Sequence, residues 1–275
     1  MNNGATNTVV IGGGAVGSVL ASLLVSETPV TLLVRRQDHA RAVLDNGIRL
    51  DGPTSVTMHH LAASCDPRVL EDADLVIVAT KSYDTEQVAK TIGENAKPDA
   101  LVLTLQNGLG SLDVLGEICG ADRVLGGITT IGCTKIDDTT IKVPWLGRVA
   151  VGEVMGPSTT RCRQVAERFS RAGFIGEAPD DIRNEIWNKL SFSVSQNALC
   201  ALTNKSFGEL LNSPSALAVA RSLLDEFQLV AVAEGVLPCL LIHSSDSWTT
   251  GGEHPTSGRR CGRTSRHDVV PRSMQ

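Results

Sequence analysis

The chain has 275 residues, a length that suits about two domains. Apolar residues other than glycine make up 42% of it, ordinary for a globular protein with a real core. Thirty acidic against 25 basic residues leave a net charge of -5, which argues against nucleic acid or an anionic membrane as the main partner.

No run of about 18 uninterrupted apolar residues is present, so no membrane-spanning helix is expected. Seven cysteines (65, 119, 133, 162, 200, 239 and 261) are scattered without a C-x-x-C pair and read as reduced thiols. The opening Met1–Asn7 has no basic region or cleavage site, so a cytoplasmic location is expected. None of the six histidines has metal-ligand spacing with a partner, so no metal site is expected.

Thr8-Val9-Val10-Ile11 reads as a strand that runs into G-x-G-x-x-G on Gly12, Gly14 and Gly17. Val16, Val19, Leu20, Leu23 and Leu24 then follow at helical spacing. Strand, tight turn and helix together give each glycine a job. Gly12 allows the turn, Gly14 lets a pyrophosphate approach the backbone, and Gly17 lets the helix pack close to the strand. The helix N-terminus adds free N–H groups and a positive dipole end. Dinucleotide binding is therefore expected at Gly12, Gly13, Gly14, Ala15, Val16 and Gly17.

A second strand, Val30 to Val34, ends in Arg35-Arg36. An acidic residue near this point would accept from a ribose 2′-OH, whereas an arginine suits a 2′-phosphate. Arg35, which ends the strand, is the better candidate, and NADP(H) is the expected cofactor. The bland alternative is a pair of solvated surface arginines.

Gln37–Asn46 reads as a helix and 47–50 as a short strand, while 51–68 is polar and turn-rich. The apolar runs 74–80 and 101–105 read as strands buried on both faces, ending in Lys81-Ser82 and Gln106-Asn107-Gly108. Further strands are expected at 124–131 and 149–153, with 141–143 as a hairpin partner. Strands alternating with helices indicate a parallel sheet covered on both faces, with ligands beyond the carboxyl ends of its strands. Arg35, Lys81 and Asn107 all occupy such ends. Taken singly, Lys81 and Asn107 read equally well as loop polarity.

A helix over 159–172 closes this part, and Pro179-Asp180-Asp181 punctuates the chain. After it the strand patterns stop, which places a domain boundary near residue 180. Asp181 to about Thr203 then reads as one long helix. Lys189, Ser193 and Asn197 stand at i, i+4 and i+8, so on an α-helix they share a face. Their neighbours Trp187, Leu190, Phe192, Val194 and Ala198 are apolar. Desolvated there, Lys189 would have a lowered pKa and make a usable proton donor. A solvated face with a snorkelling lysine is the alternative.

Gly12–Gly17, Arg35, Ala79-Thr80-Lys81, Gln106-Asn107-Gly108 and Ile186-Trp187-Asn188-Lys189-Leu190 with Asn197 resemble the ketopantoate reductase (2-dehydropantoate 2-reductase) family, over residues 8 to about 240. The resemblance implies an α/β fold: an N-terminal Rossmann doubly wound sheet followed by a smaller all-helical C-terminal domain. It also implies NADPH-dependent reduction of a 2-keto acid on the pantothenate route to coenzyme A. By position, Lys189 would protonate the carbonyl oxygen and Asn107 would bridge cofactor and substrate. Lys81 would serve the cofactor and substrate edge, Asn197 would bond the substrate's distal hydroxyl, and Arg35 would hold the 2′-phosphate.

The family carries asparagine where this chain has Ser193, which leaves another 2-keto acid open as substrate. Ser213-Pro214 opens a further helix, with Leu217, Ala220, Leu224, Phe227 and Ala231 on one face, ending at Gly235. Residues 244–275 hold Arg259, Arg260, Arg263, Arg266 and Arg272 among glycine, serine and threonine, and read as an irregular, disordered tail. The family's serine-methionine segment and its later glutamate have no match there. A truncated or frame-shifted product is the favoured explanation, over a nucleic-acid-binding arm.

The expected organisation is thus 1–180 NADP-binding, 181–243 helical, and 244–275 tail. Apolar helix faces without partners leave a homodimer open. With the tail as written, the expectation is a chain that binds NADPH but reduces ketopantoate poorly. A non-catalytic NADP(H)-binding relative is the competing reading.

Overall fold

The computed structural model describes residues 6–237. Residues 244–275, with His254 and His267, lie outside the described residues, as does His243. The first element, β1 (Thr8–Ile11), is buried along its whole length. It pairs in parallel with β2 (Val30–Leu33) on one side and β6 (Leu75–Val78) on the other. Around it lie β5 (Ala62–Ser64), β7 (Leu101–Thr104), β8 (Val124–Thr129), β11 (Arg148–Glu153) and β12 (Ile175–Glu177). The order across this eight-stranded sheet is β12-β11-β8-β7-β6-β1-β2-β5. Every pairing is parallel except β8 with β11.

Alternation along the strands divides the core in two. Val10, Ile77, Leu103 and Leu125 enter one apolar cluster, while Val9, Ile11, Val76, Val78 and Val102 enter the other. Successive side chains point to opposite faces, so an unbroken apolar run can be satisfied only by helices on both sides. Those helices include α1 (Ala15–Leu24), α2 (Gln37–Asn46), α3 (Thr85–Asn95), α4 (Ser111–Cys119) and α5 (Thr160–Arg171).

A second sheet departs from the sequence reading. It has the order β4-β3-β10-β9, built from β3 (Ile48–Asp51), β4 (Val56–His59), β9 (Gly132–Lys135) and β10 (Thr140–Trp145). The expected hairpin partner 141–143 is part of β10, which pairs antiparallel with β9 and parallel with β3. The segment 51–68, read as turn-rich, contains β4 and β5. Val56 and Met58 of β4 are exposed, so that strand shows no buried face and is held by its ladder to β3.

The chain divides into two compact units at Leu190/Ser191, inside α6 (Ile182–Phe192) rather than ahead of it. The start of α6 packs on the large sheet. Gly126 and Gly152 sit opposite each other in the β8–β11 ladder. A methyl group on Gly152 would come within 2.7 Å of Ile182 Cβ, so the paired glycines make a flat seat for Ile182.

In the second unit, α7 (Ala198–Thr203) ends at Asn204 with φ 52°, and α8 (Phe207–Leu211) opens on a Ser206/Glu209 capping box. The last helix, α9 (Pro214–Ala233), is capped by Ser213 and buries Ala220, Leu224, Phe227 and Ala231. Among the described residues no helix is long and apolar enough to cross a membrane, and no cluster of His, Cys, Asp and Glu could hold a metal ion.

Candidate active site

The site is built at the carboxyl edge of the large sheet, from the ends of β1, β2, β6 and β7. Past β1, Gly12 has φ 113°, a conformation that a side chain would strain. A methyl group on Gly17 would lie 1.9 Å from the Gly12 carbonyl oxygen, so α1 can start this close to the strand only with glycine there. Gly13 is constrained from behind, since a Cβ would lie 2.4 Å from the His39 ring. Gly14 is different: nothing stands within 4 Å of its missing Cβ. The turn is therefore packed tight on its protein side and open at Gly14. Gly14 also N-caps α1 with no side-chain partner for the first N–H groups, which leaves that helix start available to an anion.

Past β2, the two arginines separate. Arg36 is engaged by Asp38 at 3.1 Å and by Asp138. Arg35 has an 86% exposed side chain and only a loose 3.8 Å contact with Asp84. An exposed pair of that length contributes little, so Arg35 is the arginine able to take a new anionic partner.

Past β6 and β7 lie Lys81 and Asn107, both exposed. Between them is a residue that the sequence reading quoted only as part of a motif. Gln106 is buried and bonds into the loops at both strand ends.

On α6, Lys189 Nζ donates to Asn107 Oδ1 at 2.6 Å. Burial, and secondarily the Arg148 cation, lower the Lys189 pKa from 10.5 to about 8. Arg148 stands at the start of β11, bonded to Glu177 at 2.6 Å and to Glu185, one helical turn before Lys189. The lysine therefore belongs to the desolvated alternative rather than the solvated face.

Ser193 and Asn197 belong to the second unit. The long helix expected over 181–203 is interrupted there: Ser193–Asn197 is a π-helical turn between α6 and α7. The i, i+4, i+8 stripe assumed a uniform α-helical step, which a wider turn does not keep. Ser193 is half-buried and Asn197 exposed. The same turn buries Gln196, whose amide atoms have no hydrogen-bond partner. No local sequence signal marks this turn. The Arg148–Glu185 pair joins residues 37 apart and was equally invisible.

A glycine turn at a switch point of a parallel sheet, with a desolvated lysine beside the next strand ends, defines a Rossmann-type oxidoreductase. Comparison with known proteins narrows the class. The family model "Ketopantoate reductase PanE/ApbA" matches residues 8–156, and its C-terminal counterpart matches 181–248. The 2-dehydropantoate 2-reductase of Halobacterium salinarum is 38% identical over 232 residues, 83% of this chain and 76% of the relative. That of Archaeoglobus fulgidus is 34% identical over 227 residues, covering 82% and 74%. Among solved structures, a PanE/ApbA family ketopantoate reductase from Ralstonia eutropha superposes with a TM-score of 0.76 at 30% identity, covering 85% of this chain and 77% of that one. A 2-dehydropantoate 2-reductase from Geobacter metallireducens gives 0.79 at 26%, covering 86% and 78%. The chain belongs to the ketopantoate reductase family.

Proposed function

We propose that this chain reduces a 2-keto acid with NADPH, and that the acid is 2-dehydropantoate. The observation that carries the reading is the 2.6 Å bond from Lys189 to Asn107 at the sheet's carboxyl edge. The residues present fit a dinucleotide, since the turn is open at Gly14 and Arg35 is exposed. Gly12, Gly13, Gly14, Ala15, Val16 and Gly17 would hold the diphosphate, and Arg35 the 2′-phosphate. Lys81 and Asn107 would line the nicotinamide and substrate edge. When bound, the cofactor supplies a hydride to the keto carbon.

The protein's own task is the oxygen. Negative charge develops there, and a positioned cation that is also an acid meets both needs. Lys189 is both, and at about 8 its pKa lies close enough to neutrality to release a proton. Asn107 fixes the direction of the ammonium. Asn197 and Ser193 are the candidates for the rest of the acid, with serine reaching less far than the family's asparagine.

A cytoplasmic enzyme is the setting that fits this reading. Apolar exposure on α9 at Val219, Leu229, Val230 and Val232 is what supports a homodimer.

The test is twofold. Fluorescence or calorimetric titration should give tighter binding of NADPH than of NADH. The preference should fall in Arg35→Ala by roughly 1.5–3 kcal/mol, the value of a charge-assisted hydrogen bond. NADPH oxidation against a panel of 2-keto acids should be fastest with ketopantoate. Cofactor binding without turnover on any acid would identify a non-catalytic NADP(H)-binding relative. Faster turnover of another acid would move the substrate.

A further inference from the structure

We infer that Gln106 is a positioning residue for this reaction: its buried amide locks the ends of β6 and β7 together, so that Asn107 is held where it meets Lys189. The inference rests on the reading of Lys189 as the acid.

The hydrogen-bond inventory fixes how the amide is turned. Two of its neighbours, the carbonyl oxygens of Thr80 and Lys81, can only accept, and both lie 3.3 Å from Nε2. The nitrogen must face them, because an amide oxygen there would meet two carbonyl oxygens. Thr85 Oγ1 uses its single hydrogen on Ser82 O at 2.7 Å, so it accepts from Gln106 Nε2 at 3.0 Å. Thr104 Oγ1 donates to Gln106 Oε1 at 3.1 Å. One side chain thus ties three places: the last residue of β7, the loop that carries Lys81, and the first residue of α3.

Gln106 is 8% exposed. A buried amide with its donors and acceptor engaged is costly to disturb and specifies a single geometry. Gln106 is buried while its neighbour Asn107 is exposed. An anchored Gln106 therefore restricts the backbone of the residue that follows it. Gln106 is joined covalently to Asn107, which accepts from Lys189.

Gln106→Met keeps the volume and removes the bonds. The expected result is a kcat lower by at least tenfold, with the NADPH Kd changed by less than about threefold, because the groups proposed for the diphosphate and the 2′-phosphate follow β1 and β2 and only the nicotinamide edge is loosened. The alkaline limb of the pH profile should also move to lower pH, since a loosened Asn107 no longer accepts from the ammonium and the charged form loses support. A purely structural role would lower stability and leave kcat and the limb of the folded enzyme unchanged, and that outcome overturns the inference. Thr85→Val removes one partner only. It should show the same pattern at smaller amplitude, and serves if the methionine variant does not fold. Hydrogen exchange over 80–85 and 106–110 decides the point without turnover. Faster exchange there in Gln106→Met supports the lock, and unchanged exchange overturns it. If the unaltered chain reduces no keto acid, the functional reading falls and the exchange measurement still judges the lock.

Discussion

Lys189 makes the sharpest demand on the proposed chemistry, because an acid must hold its proton when the hydride arrives. Its pKa lies at about 8 instead of 10.5, first because burial disfavours the charge and second because Arg148 is nearby. With that value about nine lysines in ten are protonated at pH 7 and about one in ten at pH 9. The kcat for keto acid reduction should therefore fall above pH 8, by about tenfold for each further unit. An ordinary lysine would hold the rate level to about pH 10.

The perturbation is Arg148→Met. It removes the cation and leaves Glu177 and Glu185 without their partner, so both changes favour the ammonium. The alkaline limb should rise on the order of one pH unit, the usual effect of a neighbouring charge. It should remain below 10.5, because burial, the larger cause, is untouched. Stopped-flow or steady-state kinetics from pH 6 to pH 10 at saturating NADPH would measure it. A wild-type rate that is flat to pH 10, or an Arg148→Met limb that moves downward, would refute the reasoning. Lys189→Ala should lower kcat by at least ~10²-fold while leaving NADPH affinity nearly intact.

Gly14→Ala and Gly17→Ala should fail in different ways. The first meets nothing within 4 Å and the second meets a carbonyl oxygen at 1.9 Å. Gly14→Ala should keep its thermal midpoint and lose NADPH binding, whereas Gly17→Ala should lose stability. A Gly14→Ala protein with undiminished affinity would remove that turn from the cofactor site.

Glu153 offers a stability test. Its carboxylate, paired twice with Arg161 at 2.6 and 2.8 Å, has its pKa lowered from 4.5 to about 2. Between those values the unfolded chain binds more protons, so the stabilisation is complete above pH 4.5 and is lost as pH falls toward 2. Glu153→Gln should cost on the order of 3 kcal/mol or less at pH 7 in urea denaturation. A cost that persists unchanged at pH 3 would contradict the assignment.

The parts of this molecule that were legible in advance are those with a local cause. Thr8–Ile11 followed by three spaced glycines specifies strand, turn and helix within a few residues. The apolar runs at 75–78 and 101–104 announce strands covered on both faces, because only such burial accepts an unbroken run. From the strand ends, the positions of Arg35, Lys81 and Asn107 at one edge followed.

The tertiary structure decided what depends on distant partners. It separated Arg35 from Arg36, because Asp138, which holds Arg36, is 102 residues away in sequence. It lowered the Lys189 pKa to about 8, since desolvation is a property of the surroundings and not of the helix that carries the lysine. It also placed β4, whose exposed face carries no pattern, and the π-helical turn at Ser193–Asn197, which no propensity marks. Spacing along a chain encodes local geometry. Charge state and orientation are set by whichever groups the fold brings from elsewhere.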